Sequence, residues 1–198
     1  MPRPPRRDYA NAIHHVTQRG DKRLPVLERP DDRRVYLRIL SEEASRHEWQ
    51  VFSYCLMPNH LHLLVRTPAA NLSRGMGRLN TRYARSYNAA REVPGHVFQG
   101  CFKNELVESV RHLVAAFAYI ALNPVEPGLC RHPIEWAWSA HGELTGRRPP
   151  SGALCSDPLW VFGRDADSAR RAYEQFVEGR LQRLQRVRGE ASEANEVP

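Results

Sequence analysis

An α+β fold is predicted for this 198-residue chain by three observations. Four segments of alternating apolar, β-branched and aromatic residues read as strands. Two segments of helical period lie among them, giving the order β-α-β-β-α-β. The length suits one domain with appendages.

Each element has its own signal. Ala12 to Gln18 (AIHHVTQ) reads as a first strand, broken by Arg19-Gly20-Asp21. Asp31 or Asp32 can cap a helix reaching about His47, with Val35, Ile39 and Leu40 on its buried face. Trp49 to Leu56 is a second strand, Met57-Pro58-Asn59 a turn, and a third strand runs from His60 to about Arg66. Asn71 or Ser73 starts a second helix, to about Tyr87. Val97 to Glu108 carries the fourth strand. Ser109 caps a third helix that stops at Asn123-Pro124. The pattern is ferredoxin-like, with helices on one sheet face and the other face available. Leu61, Leu63 and Val65 would then lie under the helices, and His60 and His62 on the open face.

The ends divide differently. Residues 1–10 read as a basic arm, 11–130 as the main domain and 131–188 as a helical C-terminal extension. Trp136 and Trp138 would dock that extension. It holds a loop over Gly146 to Gly152 and an amphipathic basic helix from Ala169 to about Arg188. The polar residues 189–198 are expected to be a disordered tail.

Composition narrows the function classes. Hydrophobic content of 41% and charged content of 26% fit a folded globule. No apolar run approaches the roughly 20 residues that cross a bilayer, so no membrane partner is expected. Four cysteines (Cys55, Cys101, Cys130, Cys155) are widely spaced, which argues against a disulfide framework and for reduced thiols in a cytoplasm. Net charge is +7, and of the 29 basic residues only Lys22 and Lys103 are lysine. An arginine-dominated surplus fits a polyanionic partner, or simply arginine-rich coding.

The chemistry starts at Tyr54-Cys-Leu-Met-Pro-Asn-His-Leu-His-Leu-Leu-Val65. Strand alternation puts His60 and His62 on one face, where two neutral imidazoles can hold a divalent metal. The other reading is a pair of hydrogen-bonded strand histidines. His15 could support the pair from the neighbouring strand, or be an ordinary strand residue. On the third helix, Val110, Leu113, Val114, Phe117 and Ala121 form the core stripe, and Tyr119 lies opposite with Asn123 one turn on. Tyr119 is either an aromatic packed on the extension or a nucleophile beside a metal-polarised phosphate. The Asn123 amide oxygen could complete a set begun by His60 and His62, acceptable for Mg²⁺ or Mn²⁺.

A second stripe points to phosphate. Leu72, Met76, Leu79, Tyr83 and Tyr87 form the core face of the second helix, while Arg74, Arg78, Arg82 and Arg85 form another. No carboxylate occurs between residues 71 and 91. A like-charged row costs stability unless something neutralises it, so these four arginines are expected to contact DNA. Arg19 and Lys103 are further candidates for phosphate contact. His112 and His141 have no evident partner.

His60-Leu61-His62 resembles the paired-histidine motif of HUH single-strand DNA endonucleases. The strings YCLMPNHLHLLV, NLSRGM, HVFQG and YIALNPV, in this order, resemble the REP-associated tyrosine transposases, as does the opening HHVTQRG. The resemblance spans about residues 8–140. It implies that residues 11–130 form an HUH-type catalytic domain acting on single-stranded DNA with hairpins of the REP type. It implies His60, His62 and Asn123 as ligands of Mg²⁺ or Mn²⁺, and Tyr119 as the nucleophile that forms a 5′-phosphotyrosyl link. No small-molecule cofactor is implied. The protein would act as a monomer or homodimer, in the cytoplasm and close to the nucleoid. The alternative function is a hairpin DNA or RNA binder of the same fold that does not cleave. The chain departs from the family pattern at Ala118, at Glu126-Pro127 and at Cys101-Phe102-Lys103, none of which removes a reactive group.

Overall fold

The computed structural model describes residues 8–195, with side chains through residue 188. Most of the expected basic arm, through residue 7, lies outside the described residues. Four strands form one antiparallel sheet in the order β2-β3-β1-β4. They are β1 (Ala12–Arg19), β2 (Gln50–Leu56), β3 (His60–Thr67) and β4 (Lys103–Leu106). β4 is shorter than the sequence predicts: the chain bends at Gly100, which takes positive φ, and leaves Phe98 in an isolated bridge to Gly20.

Helices α1 (Pro30–His47) and α2 (Leu72–Arg91) pack on each other and cover one face of the sheet. Gln18 marks that face, its Oε1 accepting from the Asn80 amide of α2 at 3.1 Å. Val16, Leu61, Leu63, Ile39, Leu40 and Leu79 are buried there. Asp32 serves α1 from its third position, accepting from the Arg29 N–H at 3.1 Å, because Pro30 opens the helix. Val35 is only half-buried, and Tyr36 takes the core position instead. Asp8 caps α2 from outside, accepting from the Ser73 N–H at 3.0 Å and the Ser73 hydroxyl at 2.8 Å.

The NLSRGM string serves this packing. Asn71 accepts from the Trp49 indole at 2.7 Å and donates to the His47 carbonyl at 3.1 Å. Gly75 lets α2 approach Trp49: a Cβ there would lie 2.2 Å from the ring carbon Cζ2.

The opposite face is not left open. Helix α3 (Val110–Leu122), capped by the Ser109 hydroxyl accepting from the His112 N–H at 3.1 Å, lies over the histidines of β3. Residues 116–118 and 120–122 of α3 are all buried, because the extension packs behind it. Phe117 meets Phe162 and Tyr173 at ring distances of 5.3 and 5.9 Å. Val110, expected in the core stripe, is 61% exposed in the first turn.

The extension holds the short helix α4 (His141–Leu144) and the long α5 (Ala166–Asn195). The two tryptophans dock it as expected. Trp136 donates from its indole to the Leu56 carbonyl at 3.2 Å, and the Leu56 N–H donates to the Trp138 carbonyl at 2.8 Å. The Arg33 guanidinium lies over both rings at 5.2 and 5.3 Å. The Ala140 and Cys155 N–H groups donate to β2 carbonyls, so this edge of the sheet is covered. α5 begins earlier than predicted and stays helical to Asn195, through most of the polar tail expected to be disordered. That stretch holds Ala191 and Ala194 among glutamates, which are good helix formers. Arg188 reaches back from α5 to the carbonyls of Val125, at 3.2 Å, and Glu126. Among the described residues no helix is long and apolar enough to cross a membrane.

Candidate active site

Register brings the site together. β1 and β3 pair so that Thr17 opposes His62 and Arg19 opposes His60. β4 pairs with β1 so that Lys103 opposes Thr17. Directly opposed residues share a face, so Arg19, Thr17, Lys103, His60 and His62 project together, with His15 two residues along.

The imidazoles are held by defined partners. His62 Nδ1 lies 3.0 Å from His15 Nε2 and 3.3 Å from the Thr17 hydroxyl, while His62 Nε2 is buried without a hydrogen-bond partner. His60 Nδ1 lies 2.7 Å from Asn59 Oδ1, and its Nε2 lies 3.2 Å from Asn123 Oδ1. With the Asn59 oxygen accepting from Nδ1–H, the Nε2 lone pair of His60 is left free. With Nδ1–H of His62 directed at His15 and Thr17, the Nε2 lone pair of His62 is free as well. Burial pushes His62 down to about 2, with the nearby His15, His60 and Arg19 charges adding to it. Burial also lowers His60, opposed by the Asn123 oxygen, which would accept from the charged ring. Both rings are therefore neutral, the form that binds metals.

This donor set fits a divalent ion. An unpartnered buried imidazole nitrogen is costly unless something occupies it. Two lone-pair atoms 3.2 Å apart suit neighbouring ligands of one ion at about 2.1 Å each. Among the described residues no group of three His, Cys, Asp or Glu is placed to hold a metal, so the third protein ligand would be the neutral oxygen of Asn123.

Tyr119 stands at the rim. It is 43% exposed between the buried Ala118 and Ile120, with its ring edge-on to His62 at 5.4 Å and to His15 at 5.6 Å. Asn123, one turn further on, is buried. The two residues expected to work together therefore meet the histidines of their own chain.

The arginine stripe of α2 is elsewhere. It lies with α2 on the other side of the sheet, and carboxylates of α1 neutralise part of it. Buried Glu43 accepts from Arg78 Nε at 3.1 Å and from Arg82 at 2.8 Å, and Arg82 also binds Glu42. The argument from an unneutralised row therefore fails for Arg78 and Arg82. Arg74 and Arg85 are exposed on the same helix, away from the histidines. Arg19 and Lys103 instead share the sheet face of the histidines, and Lys103 lines a groove with Tyr119.

Sequence reasoning overlooked three residues. Asn59 looked like a turn residue, although its place next to His60 was a signal. Thr17 needed the β1–β3 register to be seen. Glu43 needed the packing of α1 on α2.

A family model described as "Transposase IS200 like" matches residues 8–123. This chain belongs to the IS200-like transposase family. The match ends on Asn123, so it contains the histidines, Tyr119 and the amide. No curated protein matches the chain. A solved REP-associated tyrosine transposase bound to a REP hairpin is similar over 84% of this chain and 96% of its own, with a TM-score of 0.62 and 16% identity. That likeness supports the fold and extends into the C-terminal extension. A solved protein of Deinococcus radiodurans R1, assigned provisionally as a transposase, matches over 56% of this chain and 91% of its own, at 19% identity and a TM-score of 0.42.

Proposed function

We propose that this IS200-like transposase is a metal-dependent endonuclease and strand transferase. Its substrate would be single-stranded DNA bearing hairpins of the REP type, cut through a 5′-phosphotyrosine intermediate. The observation that carries the reading is the contact of the Tyr119 ring with His62, whose own ring lies 5.1 Å from that of His60, the partner of Asn123. The hairpin substrate is supported by the similar solved transposase, which is bound to a REP hairpin.

The residues divide the work. His60, His62 and Asn123 would hold the ion, Asn59 and His15 would fix the two rings, and Arg19 and Lys103 would hold the strand's phosphates. When bound, Mg²⁺ or Mn²⁺ supplies a Lewis acid that polarises the phosphate. The Tyr119 oxygen attacks phosphorus and gives up its proton. The phosphorus–O3′ bond breaks, and the departing oxygen takes up a proton to become a free 3′-OH. Attack by a 3′-OH reverses the step and rejoins DNA, with one phosphodiester exchanged for one phosphotyrosine and no outside energy source. Mounting the nucleophile on a helix packed on both sides limits its wandering, which is where much of the rate of such a step arises.

The test uses hairpin-bearing single-stranded oligonucleotides drawn from repeats flanking the gene, with Mg²⁺ or Mn²⁺, on a denaturing gel. A metal-dependent covalent adduct that Tyr119→Phe abolishes is expected. Binding without an adduct on any repeat would instead establish a non-cleaving hairpin binder.

A further inference from the structure

Two grooves meet at Tyr119. One lies between the β1–β4 edge and α3 and is lined by His15, Thr17, Lys103 and His112. The other runs between α3 and α5, floored by Ala118, Leu122 and Leu184 and edged by Arg180 and Arg183. Tyr119 and Ala115 line both, so the nucleophile sits where they join. The second groove plays no part in the chemistry above.

We infer that the single strand crosses Tyr119 in both grooves, and that Arg180 and Arg183 of α5 grip its phosphates on the far side of the nucleophile from Lys103. The inference rests on the nuclease reading, since it takes the occupant to be the strand whose phosphate Tyr119 attacks.

Charge is the first argument. From Gly179 to Gly189 the helix carries Arg180, Arg183, Arg186 and Arg188 with no carboxylate. The row on α2 is neutralised in part, because α1 supplies Glu42 and Glu43 to Arg78 and Arg82. Here Arg188 is taken up by backbone carbonyls, and Arg180 lies over the Phe176 ring at 5.4 Å. Among the described residues neither Arg180 nor Arg183 has a carboxylate at ion-pair distance. Glu126 is the one acidic residue lining the groove, against two guanidiniums.

Shape and polarity are the second argument. The floor is aliphatic, and Val187 beside it is 63% exposed. An apolar floor under a cationic rim suits a single strand, whose sugars and bases need apolar contact while its phosphates need charge. A nucleophile attacking within a continuous chain also needs the strand held on both sides of the scissile phosphate. Lys103 serves only one side.

The experiment measures binding of fluorescein-labelled dT12 by the full chain, by anisotropy across a salt series. Arg180→Ala/Arg183→Ala should weaken binding about tenfold at low salt and reduce the slope of log K against log salt by about 1.4, two phosphate contacts' worth. Arg180→Lys/Arg183→Lys should keep the slope. Arg34→Ala/Arg46→Ala on α1 removes equal charge from outside the groove and should leave the slope intact. An unchanged slope in the Arg180/Arg183 alanine variant, or an equal loss in the α1 variant, overturns the inference. So does a change of oligomeric state with dT12 binding intact, which would make the groove a contact between copies of the chain. Wild-type protein that fails to bind dT12 overturns the groove alone, since the nuclease reading stands or falls on the Tyr119 adduct with hairpin-bearing DNA. Slope loss without any Tyr119 adduct upholds the groove and sinks only the cleavage.

Discussion

The Nδ1 of His62 and the Nε2 of His15 lie 3.0 Å apart on neighbouring strands. One proton between them fixes which nitrogen of His62 faces the site. His15→Leu should therefore weaken Mn²⁺ binding by about 10- to 100-fold, the usual range for removing a residue behind a ligand. Calorimetric titration of Mn²⁺ into the DNA-free protein reads this directly. Wild-type affinity in the variant would leave His15 an ordinary strand residue.

Arg82 should matter to stability more than to DNA. Arg82→Ala takes two partners from Glu42 and Glu43 and leaves the buried Glu43 with Arg78 and His47. The expected cost is about 2 kcal/mol, or about 4–8 °C in melting temperature for a chain of this size. The salt slope of dT12 binding should not move. A lowered slope with an unchanged melting point would return Arg82 to the DNA.

Gly75→Ala weighs two opposed effects. Alanine favours a helix interior by about 1 kcal/mol over glycine. The new Cβ would sit 2.2 Å from Trp49 Cζ2, and overpacking of this kind costs about 1–3 kcal/mol. The ring belongs to a buried tryptophan hydrogen-bonded to Asn71, so it cannot swing away cheaply. Net destabilisation is expected in urea unfolding, and a stabilised variant would show that the ring yields.

Acid should loosen the extension through His141. Burial, with the His132, Arg147 and Arg148 charges, pushes this imidazole down to about 4. Its Nδ1 lies 2.9 Å from the Tyr173 hydroxyl. Above an ordinary value of about 6.5 both folded and unfolded chains are neutral here, and the contribution is intact. Between about 6.5 and 4 only the unfolded chain takes the proton, so up to about 3 kcal/mol is lost as pH falls. His141→Gln should flatten that part of the urea-midpoint profile between pH 7 and 4.5. A profile as steep as wild type would assign the acid sensitivity to other histidines.

Local pattern made the strands, the β3 histidines and the Tyr119–Asn123 face of α3 legible, because each depends on a period of two or of 3.6 residues. What stayed hidden depends on residues far apart in sequence. Glu43 neutralises Arg78 and Arg82 from 35 and 39 positions away. The placing of α3 over the histidines, rather than beside α1 and α2, is a tertiary choice that its apolar stripe does not encode. The burial of its second half follows from Phe162 and Tyr173, in a part of the chain that gave few local signals.

Every group proposed to react lies before residue 124, yet the helix that carries the tyrosine is wedged from behind by Phe162 and Tyr173, and Arg188 holds the Val125 carbonyl just past its end. The extension is thus a set-screw on Tyr119. Relatives could drift apart in this backing and so retune cutting while every reactive side chain stayed the same. A catalytic core cut loose from it would own the full chemistry and lose its aim.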